Sequence, residues 1–290
     1  MKGVLLGLLI ALVTLSGCSE TNEKKEAEGT TPVQDYIGQG FIFVDGDKSK
    51  DIVEKNEAEI SRRAIKYMKE TYKTDVKVNN VVPARSAAVV MVEAEEPIQF
   101  HTSVIVGLDM AKKTLDPEEA NVVRSEEGEV EKAIVSGLYA KAYEEEFANL
   151  DKFLAELAKE NDVLGLRQEA VDKTASDGYQ TKYFFISVFA NDYKEIYNDY
   201  LKGDIDQSKL KTLFSNRSSE LDQPLISIDF YSKMDKLPEK EVANRMIKKL
   251  NEQANIPKGE YSIDIFKNSI VNRVGLPDGE SVSAESLIIY

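Results

Sequence analysis

The chain has 290 residues, 42% hydrophobic and 30% charged, with 51 Asp and Glu against 37 Lys and Arg for a formal net charge of −14. That balance belongs to a globular protein, not a disordered one, and it repels nucleic acid and anionic surfaces. A single cysteine, Cys18, excludes an intrachain disulfide and cysteine-ligated zinc, so burial alone must hold the fold.

Taken in chain order, Lys2 precedes an apolar run from Val4 to Leu15, which ends in Leu15-Ser16-Gly17-Cys18. A basic start, about a dozen apolar residues and small residues before a cut site have the form of a secretory signal peptide. The run is too short for a spanning helix, which takes roughly 20 apolar residues. Leu15-Ser16-Gly17-Cys18 resembles the lipobox of bacterial lipoproteins. The resemblance implies cleavage between Gly17 and Cys18, with Cys18 carrying S-diacylglycerol and N-palmitoyl groups. Several acyl chains anchor stably where one binds marginally. Membrane lipid is thus the expected partner of Cys18, and the extracellular face of the cell membrane the expected location. Residues 19–34 hold one Val and no aromatic residue. They read as a flexible linker with an r.m.s. reach of roughly 20–24 Å. The expected divisions are a signal over 1–17, the lipidated cysteine and linker over 18–35, and two folded lobes over 36–165 and 166–290.

Tyr36 to Val44 reads as a short strand ended by the Asp45-Gly46 turn. From Asp51 to Tyr72, Ile60, Ala64, Met68 and Tyr72 recur every four residues, the stripe of an amphipathic helix. Three strands are expected next: Val76 and Val78 with polar neighbours, the nearly continuous apolar run Ala87–Ala94, and an alternating stretch from Ile98 to Val106. Asp116-Pro117-Glu118-Glu119 has the cap, proline and acids of a helix start. Two apolar stripes follow, Val130/Ile134/Leu138/Ala142 and Phe147/Leu150/Leu154/Leu157, as one bent helix or two in succession. Tyr183–Phe189 reads as a buried strand or a helix start, and Tyr193–Leu201 and Ser208–Phe214 as short helices. Ile226, Ile228 and Phe230 alternate with polar residues, Pro238 opens a helix to about Ala254, and Tyr261, Ile263 and Ile265 alternate again. The predicted fold class is α+β, amphipathic helices packed on mainly antiparallel sheets.

Candidate chemistry is sparse. Asp45, Asp47, Ser49 and Asp51 place oxygens at alternate positions, as a calcium loop does, but Lys50 stands where that loop needs glycine and Asn56 where it needs glutamate. A polar turn before a helix fits better, and Asp204, Asp206 and Ser208 read the same way. His101, the sole histidine, shares a strand face with Ser103, yet no nucleophile elbow or orienting group accompanies the pair. Its expected place is a solvated or half-buried sheet face. The acids from Glu126 to Glu131 read as a helix start. The tyrosine pairs at helical spacing, such as Tyr139/Tyr143, read as core. No catalytic residue, metal or cofactor is assigned.

Several blocks resemble a family of uncharacterised lipoproteins from Gram-positive bacteria, known as domain of unknown function 1672. They are Pro32–Gly40, Tyr72–Val82, Phe100–Val106, Glu127–Glu131, Ser136–Tyr139 and Ile256–Gly259. The resemblance implies membrane anchoring outside the cytoplasm and supplies no activity, ligand or catalytic residue. The expected role is a non-enzymatic binding or adaptor module of the cell envelope with an envelope protein as partner. An envelope-polymer hydrolase using dispersed carboxylates is the alternative. A transporter solute-binding lipoprotein is a third reading, which requires two doubly wound lobes.

Overall fold

The computed structural model describes residues 29–117, 122–203, 205–215 and 223–290; the signal peptide, Gly17, Cys18 and the linker through residue 28 lie outside them. Thr30–Thr31 (β1) pairs antiparallel with Ile270–Val271 (β11), which pairs in turn with Leu276–Pro277 (β12). Val33 and Tyr36 are buried with Ala170, Tyr231 and Ile270. The stretch read as linker up to Gln34 is therefore folded from Thr30 on, docked by these two side chains.

The strand expected over Tyr36–Val44 is a run of turns. Gly38 and Gly40 take φ of 85° and 78°, a left-handed backbone that interrupts a strand. Phe41 and Phe43 turn inward instead, onto Val82, Val89, Met91 and Ile105.

Helix α1 (Lys50–Tyr72) buries Ile52, Val53, Ile60, Ala64, Met68 and Tyr72 and stops at Lys73, which adopts a left-handed conformation at φ 57°. Its apolar stripe lies on an antiparallel meander of β2 (Lys77–Ala84), β3 (Ala87–Ala94) and β4 (Phe100–Asp109). The central strand β3 is buried on both faces. Ala88, Val90 and Val92 join the α1 cluster, while Val89 and Met91 meet Phe41 and Phe43.

Asp116 and Pro117, the first two residues of the expected helix start, lie in neither helix nor strand. Thr114–Leu115 (β5) and Val123–Arg124 (β6) pair with β4, and Arg63 donates to the Asp116 carbonyl at 2.7 Å. The segment seals a sheet edge; Glu118 and Glu119 lie outside the described residues. The two apolar stripes that follow are two helices, α2 (Glu129–Ala142) and α3 (Glu144–Glu160), broken at Tyr143. Every residue of α2 from Ala133 to Ala140 is buried, so this helix is wrapped on all sides. Gly137 permits the closest approach: a Cβ there would stand 2.7 Å from the Gln99 carbonyl oxygen.

The second large sheet is built on β9 (Leu225–Ser232) and β10 (Gly259–Phe266), parallel neighbours joined through α7 (Lys240–Asn251). On the outer side of β9 lie β7 (Val163–Leu164) and β8 (Phe184–Ser187). On the outer side of β10 lie β13 (Ser281–Ser283) and β14 (Leu287–Ile289). The short helices α4 (Gln168–Thr174), α5 (Lys194–Lys202) and α6 (Gln207–Ser215) complete the fold. One buried cluster runs from Ile52 to Ile265 and draws on both large sheets and on α1, α2, α3 and α7. Tyr139, Tyr143, Tyr193 and Tyr200 all belong to it.

The fold is α+β, with β9–β10 the single parallel pair among the described strands. Neither large sheet is the doubly wound sheet of a solute-binding protein. Among the described residues no helix is long and apolar enough to cross a membrane.

Candidate functional site

Glu93 on β3 and His101 on β4 are direct cross-strand partners, on the sheet face opposite α1. Such pairs stand close enough for their side chains to interact. Helix α4 and the segment after it cross this face. His101 N donates to the Gly178 carbonyl at 2.8 Å, and Gly178 N donates back to the His101 carbonyl at 2.9 Å. Gly178 lies at φ 108°, and a Cβ there would fall 2.1 Å from Ser136 Oγ on α2. Only glycine fits this seat. Ser136 Oγ accepts from Tyr179 N and donates to the Ala133 carbonyl, both at 2.8 Å, which pins the strap between β4 and α2.

Under the strap, His101 Nε2 faces two carboxylates, Glu93 Oε2 at 3.6 Å and Asp172 Oδ1 of α4 at 3.8 Å. The imidazole is 1% exposed, and among the described residues neither of its nitrogens has a hydrogen-bond partner. The two carboxylates lie beyond hydrogen-bond range. An unsatisfied buried polar group costs about 1–3 kcal/mol, so the arrangement calls for a physical explanation. Glu93 itself is well held. Asn79 Nδ2 donates to Oε2 at 2.9 Å, Lys77 Nζ lies 3.1 Å away, and Gln99 Nε2 donates to Oε1 at 3.2 Å.

Burial pushes the Glu93 carboxyl up, but the Asn79 amide, His101 and Lys77 together outweigh it and hold the group below its usual range. Burial depresses His101, although Glu93 and Asp172 pull the other way. Asp172 is the opening of the site, with a side chain 31% exposed and Oδ1 accepting from Gln168 Nε2 at 2.8 Å.

His101 thus does not occupy the solvated or half-buried face expected of it, because α4 and the strap cover that face. Neither ring nitrogen is bonded to Ser103, so the strand pair is not a nucleophile and base. The Asp45–Asp51 loop is held by ion pairs and a buried hydroxyl. Asp45 meets Arg85 at 2.7 Å and Lys48 at 3.0 Å, Asp47 meets Arg273 at 2.9 Å, and Ser49 Oγ donates to the Ala84 carbonyl at 2.6 Å. Its acids do not converge on one point. Asp206 accepts from Ser208 N at 3.0 Å at the start of α6, and Asp204 lies outside the described residues. Gly17 and Cys18 also lie outside them.

A second acidic constellation sits on the polar face of the other sheet. The parallel register sets Asp229 directly beside Asp264. Asp264 accepts from Ser281 Oγ at 3.0 Å and from the Ser283 hydroxyl. Burial, reinforced by Asp264, pushes the Asp229 carboxyl up to about 7. Asp229 lines a cavity of about 430 Å³ with Leu166, Phe185, Tyr231, Phe266 and Leu276. An adjoining cavity of about 290 Å³ shares Asp177 and Phe185 with it and adds Val188 and Phe189.

Sequence reasoning does not single out Glu93, Asp172 or Asp229. Glu93 carries a signal, as the one charged residue in the run Ala87–Ala94. Asp172 carries none.

The family model described as a protein of unknown function (DUF1672) matches residues 23–287. Among curated proteins none matches the chain. The fold is similar to that of a crystal structure of a DUF1672 family protein from Staphylococcus aureus subsp. aureus Mu50, with a TM-score of 0.74 at 20% identity, over 90% of this chain and 98% of that one. A crystal structure of a DUF5037 family protein from Ruminococcus gnavus aligns with a TM-score of 0.31 at 13% identity, over 72% of this chain and 74% of that one. With the match running through nearly all of the folded body, this chain belongs to the DUF1672 family.

Proposed function

We propose that the protein is a lipid-anchored module on the extracellular face of the cell membrane, where it binds an envelope partner without transforming it. The observation that carries this reading is Leu15-Ser16-Gly17-Cys18 behind its apolar run. Diacylation of the Cys18 thiol and N-palmitoylation of the new terminus would hold the body at the bilayer surface. Recognition is supported by the two adjoining cavities, whose walls are largely apolar with a few polar groups, the usual make-up of a binding cleft. Phe189 at 57% and Leu276 at 61% exposure stand at their rims.

The test has two arms. Cells fed labelled palmitate should incorporate it into the wild-type chain and not into Cys18→Ala, which should be lost from the membrane fraction. Photocrosslinkers placed at Phe189 and Leu276 on intact cells should capture the same envelope protein. Unchanged attachment of Cys18→Ala defeats the anchor, and crosslinks to no protein defeat the adaptor.

One observation favours a second reading as an envelope-polymer hydrolase. A carboxyl raised to about 7 inside a cavity, as Asp229 is, suits a general acid. On that reading purified wall material is cleaved by the wild type and not by Asp229→Asn.

A further inference from the structure

We propose that Glu93, His101 and Asp172 form a binding site for a divalent transition metal of the zinc class, independent of the anchoring and adaptor roles above. Three potential ligand atoms, one from each residue, lie within 4.8 Å of one another. Acidic residues near one another are common on protein surfaces. The distinguishing feature here is the imidazole, which is shut away from water, without a hydrogen bond at either nitrogen among the described residues, with Nε2 turned to both carboxylates.

The spacing fits an ion better than it fits direct bonds. Bonds of about 2.0–2.2 Å to a tetrahedral ion set its ligands roughly 3.3–3.6 Å apart. The Nε2–Glu93 distance of 3.6 Å meets that value, and the Nε2–Asp172 distance of 3.8 Å needs a small inward swing of a partly exposed side chain. One imidazole nitrogen with two carboxylate oxygens is a donor set for zinc, manganese, iron(II) or cobalt. It is unlike the all-oxygen shell of calcium and lacks the thiolate or thioether of a copper(I) site.

The surroundings also match a metal centre. Two carboxylates balance the charge of a divalent ion, and a neutral imidazole is the form that coordinates. Asn79 and Gln99 orient Glu93, and Gln168 orients Asp172, as outer groups do around metal ligands. Lys77, 3.1 Å from Glu93, has a second partner in Glu95 at 2.5 Å and can remain in place when a cation arrives. The side chain of Asp172, 31% exposed, supplies the route in.

The experiment uses the untagged full chain in detergent, in a Cys18→Ala background so that no thiol competes. It is stripped with a chelator and titrated calorimetrically with ZnCl₂, and separately with CoCl₂ while the visible spectrum is followed. One equivalent of zinc should bind, and cobalt should give absorption bands of an ion in a low-symmetry nitrogen and oxygen site. Asp172→Asn, a partly exposed and nearly isosteric replacement and so expected to keep the wild-type melting curve, should weaken zinc binding at least 10-fold. His101→Gln should abolish the cobalt bands. The proposal is overturned if no stoichiometric binding is seen, if Asp172→Asn binds zinc as the parent does, or if CaCl₂ binds as tightly as ZnCl₂. Should His101→Gln fail to fold, Asp172→Asn decides alone.

Discussion

Glu93 and Asp229 are the same functional group in the same kind of place, a strand in the interior of a sheet, yet their ionisation is driven in opposite directions. Burial pushes both up. Around Glu93 the Asn79 amide, His101 and Lys77 reverse that push, whereas around Asp229 the nearest strand partner is another carboxylate, Asp264. The cause is topological. In the antiparallel meander β2–β4, strands of different composition run past each other, so Glu93 meets an amide, an ammonium and an imidazole. In the parallel pair, β9 and β10 carry the same alternation in the same direction. Their register sets Ser227 beside Ser262, Ile228 beside Ile263 and Asp229 beside Asp264. Like is placed next to like, and two acids share a face.

The largest effect should come from breaking the strap that closes the Glu93 site. Gly178→Ala drives a methyl group to 2.1 Å from Ser136 Oγ, with the Ala133 backbone behind it, at a φ that side chains avoid. A loss of about 3 kcal/mol or more is expected from chemical denaturation. Gly203→Ala serves as the control, at φ 76° with no atom of the described residues within 4 Å, and should lose only about 1–2 kcal/mol. Equal losses in the two variants would mean that backbone conformation, not closure over His101, is what Gly178 supplies.

Asn79→Ala should make Glu93 behave more like Asp229. Removing the amide leaves a buried carboxylate short of a donor, at an expected cost of about 1–3 kcal/mol near pH 7. The sign follows from the direction in which the carboxyl is displaced. A carboxyl held below its ordinary value adds stability above its unfolded pKa and loses it as pH falls through the folded pKa. The variant's deficit should therefore shrink as the pH drops from 7 toward 4. A deficit that stays constant with pH would place the role of Asn79 in packing.

How far these sites can be read in advance depends on what period-2 alternation encodes. Alternation fixes which face a side chain occupies, so Ile226/Ile228/Phe230 and Tyr261/Ile263/Ile265 are legible as core, and Asp229 and Asp264 as the other face. It carries neither strand direction nor neighbour, and the pairing of the two acids follows only from the parallel register. The helices α1, α2, α3 and α7 are legible because 3.6-residue stripes persist through many turns. The burial of His101 is not legible, because the elements that cover it are a seven-residue helix and a strap of irregular backbone, which have no period to detect. The strand expected at Tyr36–Val44 fails for the complementary reason: aromatic residues suit a strand, but two left-handed glycines within the stretch turn Phe41 and Phe43 into a plug.

Asp229→Asn probes the other half of the comparison. A carboxyl raised to about 7 is neutral in the fold at pH 4 and charged at a cost above pH 7, so the wild type should lose stability as pH climbs from about 4 to 7 and no further. Each tenfold weakening of the acid costs about 1.4 kcal/mol once the group is forced to ionise, which sets a ceiling of about 4 kcal/mol. Solvent contact on one side reduces the expected gain of the variant to about 1–2 kcal/mol at pH 8. At pH 4 the variant and the wild type should melt together. Asp264→Asn isolates the second cause: it should bring the inflection below 7 without removing it, since burial ranks first. An unchanged stability profile in Asp229→Asn would mean that the carboxyl is solvated, and the contrast with Glu93 would lose its basis.

The smallest effect belongs to the exposed acids of the Asp45–Asp51 loop, which mark the limit of the comparison. Asp47 meets a cation, as Glu93 does, but its side chain is 66% exposed, so water screens the pair and solvates either partner alone. Asp47→Asn should change stability by no more than about 0.5 kcal/mol at any pH. Millimolar CaCl₂ should leave the melting midpoint of wild type and variant alike, because Asp45, Asp47 and Ser49 are turned to Arg85, Arg273 and the Ala84 carbonyl and not to a common centre. A calcium-dependent rise in the wild type that disappears in Asp47→Asn would show that the loop can rearrange into a cage. It would also show that exposure alone does not make a carboxylate inert in this fold, so that a partner, and not only burial, decides what each acid does.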